Sequence, residues 1–227
     1  MPCLYLNGGY PIPTMPKPRY IIIEGPIGVG KTTLARMLAK EFNARLIIER
    51  PEQNPFLESF YREPAKFAFK AQLFFLLSRF QQQQELAQQD LFAQDIVSDY
   101  LFAKDRIFAY LSLDGEELSL YERVYSVLGG RIIQPDIVVY LQAREEVLME
   151  RIHRRGKGYE RDISDEYLKR LVDAYNEFFF YYSESPLLVV NTSEIDFANR
   201  HADFEDLVKE IQATKKGTWH YIPLGSR

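Results

Sequence analysis

The run Gly25-Pro26-Ile27-Gly28-Val29-Gly30-Lys31-Thr32 has the residue types and spacing to hold a nucleoside triphosphate. It fits the pattern G-x-x-x-x-G-K-S/T, in which glycines let the backbone curl and turn successive N–H groups into one concavity. A helix that begins there adds positive potential at the same spot. Lys31 can reach the β- and γ-phosphates and the Thr32 hydroxyl can sit on Mg²⁺, with Thr33 beside it. The motif needs a strand before it and a helix after it. Ile21-Ile22-Ile23 reads as a buried strand, and Thr33 to Lys40 reads as a helix.

Phosphoryl transfer further asks for orientation of the attacking hydroxyl and neutralisation of charge. Glu49 ends the second apolar stretch, at the edge of a parallel sheet where ligands collect. A carboxylate there can act as a base, or it can be an exposed charge closing a strand. Gln72 and Arg79 are seven residues apart, so they lie about 20° from each other around a helix. Phe69, Phe75 and Leu76 share that face. An amide and a guanidinium among aromatic rings suit a planar heterocycle. The same pattern also describes a buried helix whose two polar groups satisfy neighbours.

Arg151, Arg154, Arg155, Lys157 and Arg161 place five cations in eleven residues, broken by Gly156 and Gly158. Arg151 and Arg155 share a face at i, i+4. This composition suits a lid that closes on phosphates; the helix dipole alone would account for two or three cations. Asp99 follows the third strand and is either a Mg²⁺ ligand or a helix N-cap. An Asn-Lys-x-Asp box, which a GTPase would need, does not occur.

These groups call for an α/β scaffold in which strands alternate with helices around a parallel sheet. Strands are expected at 20–24, 45–49, 95–98, 136–141 and 187–191, and helices at 31–42, 64–90, 101–112, 115–129, 144–155, 164–182 and 202–212. Residues 1–19, with five prolines and two glycines, read as an irregular arm, 20–213 as one domain, and 214–227 as a tail. The chain has 227 residues, 46% hydrophobic, and a net charge of −4 with pI about 5.6. No basic field is available for nucleic acid, so the expected partner is a small molecule. One cysteine and three scattered histidines leave no disulfide framework and no histidine or cysteine metal site. No apolar run approaches a membrane span and no secretion signal is visible, so the expected location is cytoplasmic.

Several stretches together resemble the deoxynucleoside kinase family: E-G-P-I-G-V-G-K-T at 24–32, E-R-P-E-Q-N-P-F-L at 49–57, the helix segment at 60–80, and Y-L-Q-A-R-E-E-V-L-M-E-R-I-H-R-R-G-K-G-Y-E at 140–160. The resemblance runs from the phosphate loop to about Phe197. It implies a P-loop three-layer fold with a five-stranded parallel sheet and an Arg-rich lid, a homodimer, Mg-ATP as donor and a deoxynucleoside 5′-hydroxyl as acceptor. By this resemblance Glu49 faces the 5′-hydroxyl and Gln72 the nucleobase edge, with Arg79 and Asp105 as a charged pair beneath it. Tyr61 and Glu160 hold the 3′-hydroxyl, while Arg151, Arg155 and Lys157 are lid cations. The loop Asn191 to Phe197 packs on adenine. A purine deoxynucleoside is the leading acceptor, with deoxycytidine also within the pattern. One departure stands out: the family's usual arginine after the third strand is Tyr100 here, for which Arg106 or a lid cation would have to substitute. A thymidylate-like monophosphate kinase and a catalytically silent homologue are the competing readings.

Overall fold

The computed structural model describes residues 19–88, 94–130, 132–156, 158–160 and 163–223. Its centre is β1, Tyr20–Glu24, with every residue buried. In chain order there follow α1 (Lys31–Glu41), β2 (Arg45–Ile47), α2 (Leu57–Arg62), α3 (Pro64–Gln88), β3 (Ile96–Ser98), α4 (Asp105–Ser112) and α5 (Gly115–Gly129). The second half contains β4 (Ile137–Gln142), α6 (Glu145–Arg155), α7 (Asp165–Tyr181), β5 (Leu187–Asn191), α8 (His201–Ala213) and β6 (Thr218–Tyr221).

The sheet is parallel throughout, in the order β2-β3-β1-β4-β5-β6. Side chains alternate across it because the strand period is two. Ile21 and Ile23 join Leu34 and Leu38 of α1, Leu148 and Ile152 of α6, and Leu207 and Ile211 of α8 on one face. Tyr20 and Ile22 join Leu171, Tyr175 and Phe179 of α7 and Ile107 of α4 on the other. Burial on both faces is why these strands read as unbroken apolar runs. A third cluster, with Phe60, Ala71, Leu76, Ala109 and Tyr121, packs α2, α3, α4 and α5 together. After β1 the chain first adds strands on one side and later extends outward on the other. The reversal leaves the crevice at the C-terminal ends of β1 and β3 open to ligands.

Several expectations are corrected. The sheet has six strands, not five, because the segment read as a tail turns at Gly217 (φ 69) and pairs Thr218 to Tyr221 with β5. β2 stops at Ile47 instead of reaching Glu49, because the Glu49 N–H leaves the ladder for the Asp99 carboxylate. α2 was not expected; it ends at Arg62, because Glu63 (φ −132, ψ 69) leaves the helical region that a residue before proline disfavours. α4 begins at Asp105, not at 101, because Leu101 is held extended by a hydrogen bond to Glu24 and a 3-10 turn over Phe102–Lys104 intervenes. The arm at 1–18 and the last residues of the tail lie outside the described residues. Among the described residues no helix is long and apolar enough to cross a membrane.

Candidate active site

The glycine loop runs from the end of β1 to Lys31, the first residue of α1. All three loop glycines, Gly25, Gly28 and Gly30, sit at positive φ. At Gly25 (φ 150) an added Cβ would stand 2.4 Å from the Leu141 carbonyl oxygen, and Gly30 caps α1 in the left-handed region at φ 105. No side chain caps α1, so its first N–H groups face the crevice as an anion site. Lys31 Nζ donates to the carbonyls of Gly25 (2.7 Å) and Pro26 (3.1 Å). Burial, and then the nearby Lys104 ammonium, push its pKa down to about 8.

Asp99 ties three elements together. Its Oδ2 accepts from Thr32 Oγ1 at 2.6 Å, and its Oδ1 accepts from the Glu49 N–H at 2.7 Å. That second bond fixes the backbone of Glu49 beside the phosphate loop. The Glu49 carboxylate is gripped from two sides, by Arg79 on Oε1 and by Lys104 Nζ on Oε2 at 2.9 Å. Burial would raise its pKa, but Arg79 and then Lys104 outweigh burial and hold it far below the usual carboxylate range. Arg79 also contacts the Asp105 carboxylate and lies over the Phe75 ring, 5.0 Å from its centroid. Behind this layer sits Glu24, fully buried, whose Oε1 accepts from the Gly25 N–H at 2.9 Å and Tyr175 OH at 3.2 Å. Its Oε2 accepts from the Leu101 N–H at 2.8 Å.

At the other end of the crevice Glu160 is buried and accepts from Arg155 Nε at 3.0 Å, with a second bond from Arg155 to its other oxygen. Tyr61 of α2 meets Tyr167 of α7 edge-to-face at 6.3 Å. Arg151 binds the Thr192 carbonyl at 2.9 Å and its hydroxyl at 3.2 Å, which locks α6 to the end of β5. Phe197 packs against Gly30.

One crevice of about 1330 Å³ is lined by Ile27 to Thr33, Glu49, Tyr61, Gln72, Arg79, Asp99, Arg151, Arg155 and Glu160. Three expected site residues do not reach its wall. Gly25 and Pro26, buried at the start of the loop, serve it through their carbonyls, which accept from Lys31, and Asp105 is wholly buried behind Arg79. Lys157 lies outside the described residues. Arg106, a candidate for the missing arginine, turns away to Glu122 (2.9 Å) and Tyr110. Tyr100 is fully buried in the core.

Sequence reasoning missed Lys104, Glu24 and Tyr167, all near or on the crevice. Glu24 had a readable signal, a carboxylate closing an otherwise apolar strand directly before the glycine loop. Lys104 had none, since a lysine in a presumed helix reads as surface.

The deoxynucleoside kinase family model matches residues 21–215. The chain is 33% identical over 198 residues to a deoxyguanosine kinase of Bacillus subtilis, covering 85% of this chain and 96% of that protein. It is 36% identical over 200 residues to a deoxyadenosine kinase of Dictyostelium discoideum, covering 86% and 78%. Among solved structures, deoxyadenosine kinase from M. mycoides with dCMP and a flexible dCDP bound superposes with a TM-score of 0.74 at 26% identity. That match covers 86% of this chain and 99% of the other. The same enzyme with bound dATP gives a TM-score of 0.74 as well, at 26% identity, covering 86% and 100%.

Proposed function

The chain belongs to the deoxynucleoside kinase family, and from that premise we propose that it transfers the γ-phosphate of Mg-ATP to the 5′-hydroxyl of a deoxynucleoside, a purine one or deoxycytidine. One observation supports the reading: Glu49, Lys31 and the phosphate loop line a single crevice of about 1330 Å³. In this reading the loop N–H groups and Lys31 hold the β- and γ-phosphates. Ser193, Ile195 and Phe197 border the crevice where adenine would lie.

Thr32 Oγ1 and the Asp99 carboxylate are touching hard oxygen donors, a set that fits Mg²⁺ alongside phosphate oxygens and water. The ion, when bound, neutralises charge on the phosphates. Glu49 accepts a hydrogen bond from the 5′-hydroxyl and turns its oxygen toward the phosphorus. Its low proton affinity makes it an orienting acceptor that takes the proton late, as the new P–O bond forms. In this reading Arg155, which lines the same crevice, stabilises the transferred group, and its present partner Glu160 accepts from the sugar 3′-hydroxyl alongside Tyr61. Gln72 and Arg79 read the nucleobase edge, with Phe75 against its face. The names of the relatives, deoxyguanosine and deoxyadenosine kinase, support a purine acceptor. The homodimer belongs to the same reading, and the exposed apolar side chains Leu120 and Val127 of α5 support a covered surface there.

The test is transfer of labelled γ-phosphate from ATP to deoxyadenosine, deoxyguanosine, deoxycytidine, thymidine and thymidylate. A deoxynucleoside is expected to be phosphorylated, and Glu49→Gln to lose about 10²–10⁴-fold in kcat. Phosphorylation of thymidylate alone, or full activity in the variant, would refute the reading.

A further inference from the structure

A lysine on the crevice wall has no part in the roles above. Lys104 is only 2% exposed, yet it lines the crevice, with its Nζ 2.9 Å from Glu49 Oε2 and 3.5 Å from Glu24 Oε2. A lysine is almost never buried this deeply unless it is paired. Glu24 cannot swing out to follow it, because that carboxylate already accepts from the Gly25 and Leu101 N–H groups and from Tyr175. Lys104 is therefore anchored from behind and presents its free side to Glu49. Its charge also disfavours protonation of Lys31, which lines the same crevice.

Position 100 holds a tyrosine packed in the core, and Arg106 is committed to Glu122 on the outer side of α4. Among the described residues around Glu49, Arg79 and Lys104 are the cations in contact with its carboxylate, and Arg79 is shared with Asp105. A hydroxyl bound to Glu49 would lie within two hydrogen-bond lengths, about 5.5 Å, of Lys104 Nζ. A fixed charge that near, shielded from water, acts on charge developing at the reacting oxygens.

We propose that Lys104 aims the Glu49 carboxylate at the acceptor hydroxyl and holds a fixed positive charge beside the reacting oxygens. The inference rests on the phosphoryl-transfer reading given above. An ammonium suits this place better than a guanidinium, since a compact charge on a flexible stem fits between two carboxylates on opposite sides. Lys104 is thus a positioning residue that works through Glu49. A merely structural Lys104 would only neutralise Glu24.

Steady-state kinetics of Lys104→Met, Lys104→Arg and the double variant Glu24→Gln/Lys104→Met separate the two roles, with Glu49→Gln alongside. The double variant removes the buried charge together with its counter-charge, and it decides the matter by itself if Lys104→Met does not fold. The expected result is a kcat lowered by about 30-fold or more, with KM for nucleoside and ATP within about threefold of wild type. Lys104→Arg should recover at least about fivefold over Lys104→Met, and the double variant should stay as slow as the single one. Turnover of the double variant within about threefold of wild type overturns the inference, as does a loss confined to KM or an arginine variant no faster than the methionine one. A wild type inactive on every deoxynucleoside would overturn both this inference and the functional reading. An active wild type with indifferent Lys104 variants would sink this inference alone.

Discussion

Arg79 shows how tightly the side chains of the crevice depend on one another. Its guanidinium contacts Glu49 and Asp105, and Asp105 has no exposure at all. Removing one partner of a buried pair leaves an uncompensated charge, which costs about 3–5 kcal/mol. Arg79→Met is therefore expected to lose about that much stability in urea denaturation. Adding Asp105→Asn should restore part of the loss; a double variant no more stable than the single one would show that the pair is not coupled. Gln72, Arg79 and Glu49 were legible because their spacing put them on one helix face or at a strand end. Lys104 was not legible, since the 3-10 turn that points it inward depends on Leu101 being held extended by Glu24, 77 residues away in sequence. No local pattern encodes such a contact.

At the scale of elements, strands buried on both faces declared themselves. Ile21-Ile22-Ile23, Ile137 to Tyr140 and Leu187 to Val190 are apolar runs with flanks that fit. β6 did not, because Thr218-Trp219-His220-Tyr221 is an edge strand whose side chains are mostly exposed. Its pairing comes from main-chain bonds, which composition does not record. The family match stops at residue 215, before β6. A chain ending at Lys216 should therefore keep its turnover within about twofold. It should lose only about 2–3 kcal/mol, the net worth of a few backbone hydrogen bonds. Turnover measured beside a denaturation curve checks this, and an inactive or unfolded truncation would mean that β6 supports the site.

Across the whole molecule, the strand order places β1 and β3 side by side, so the loop after β1, Asp99 after β3 and Glu49 after β2 all open at one sheet edge. The alternation of apolar runs and helical patterns was enough to anticipate a parallel α/β sheet; the order of its strands was not read from the sequence, because it is set by long-range pairing that no local pattern records. The homodimer reading predicts a mass near twice the 26.6 kDa chain in sedimentation at micromolar concentration, and a monomer at that concentration would contradict it. The convergence of a donor site and an acceptor site in one crevice is tested most directly by calorimetric titration with a bisubstrate, adenosine joined 5′-to-5′ to a deoxynucleoside through a chain of phosphates. The account predicts one molecule bound per chain, excluding both ATP and free deoxynucleoside. A bisubstrate that displaces ATP while the deoxynucleoside still binds would contradict it.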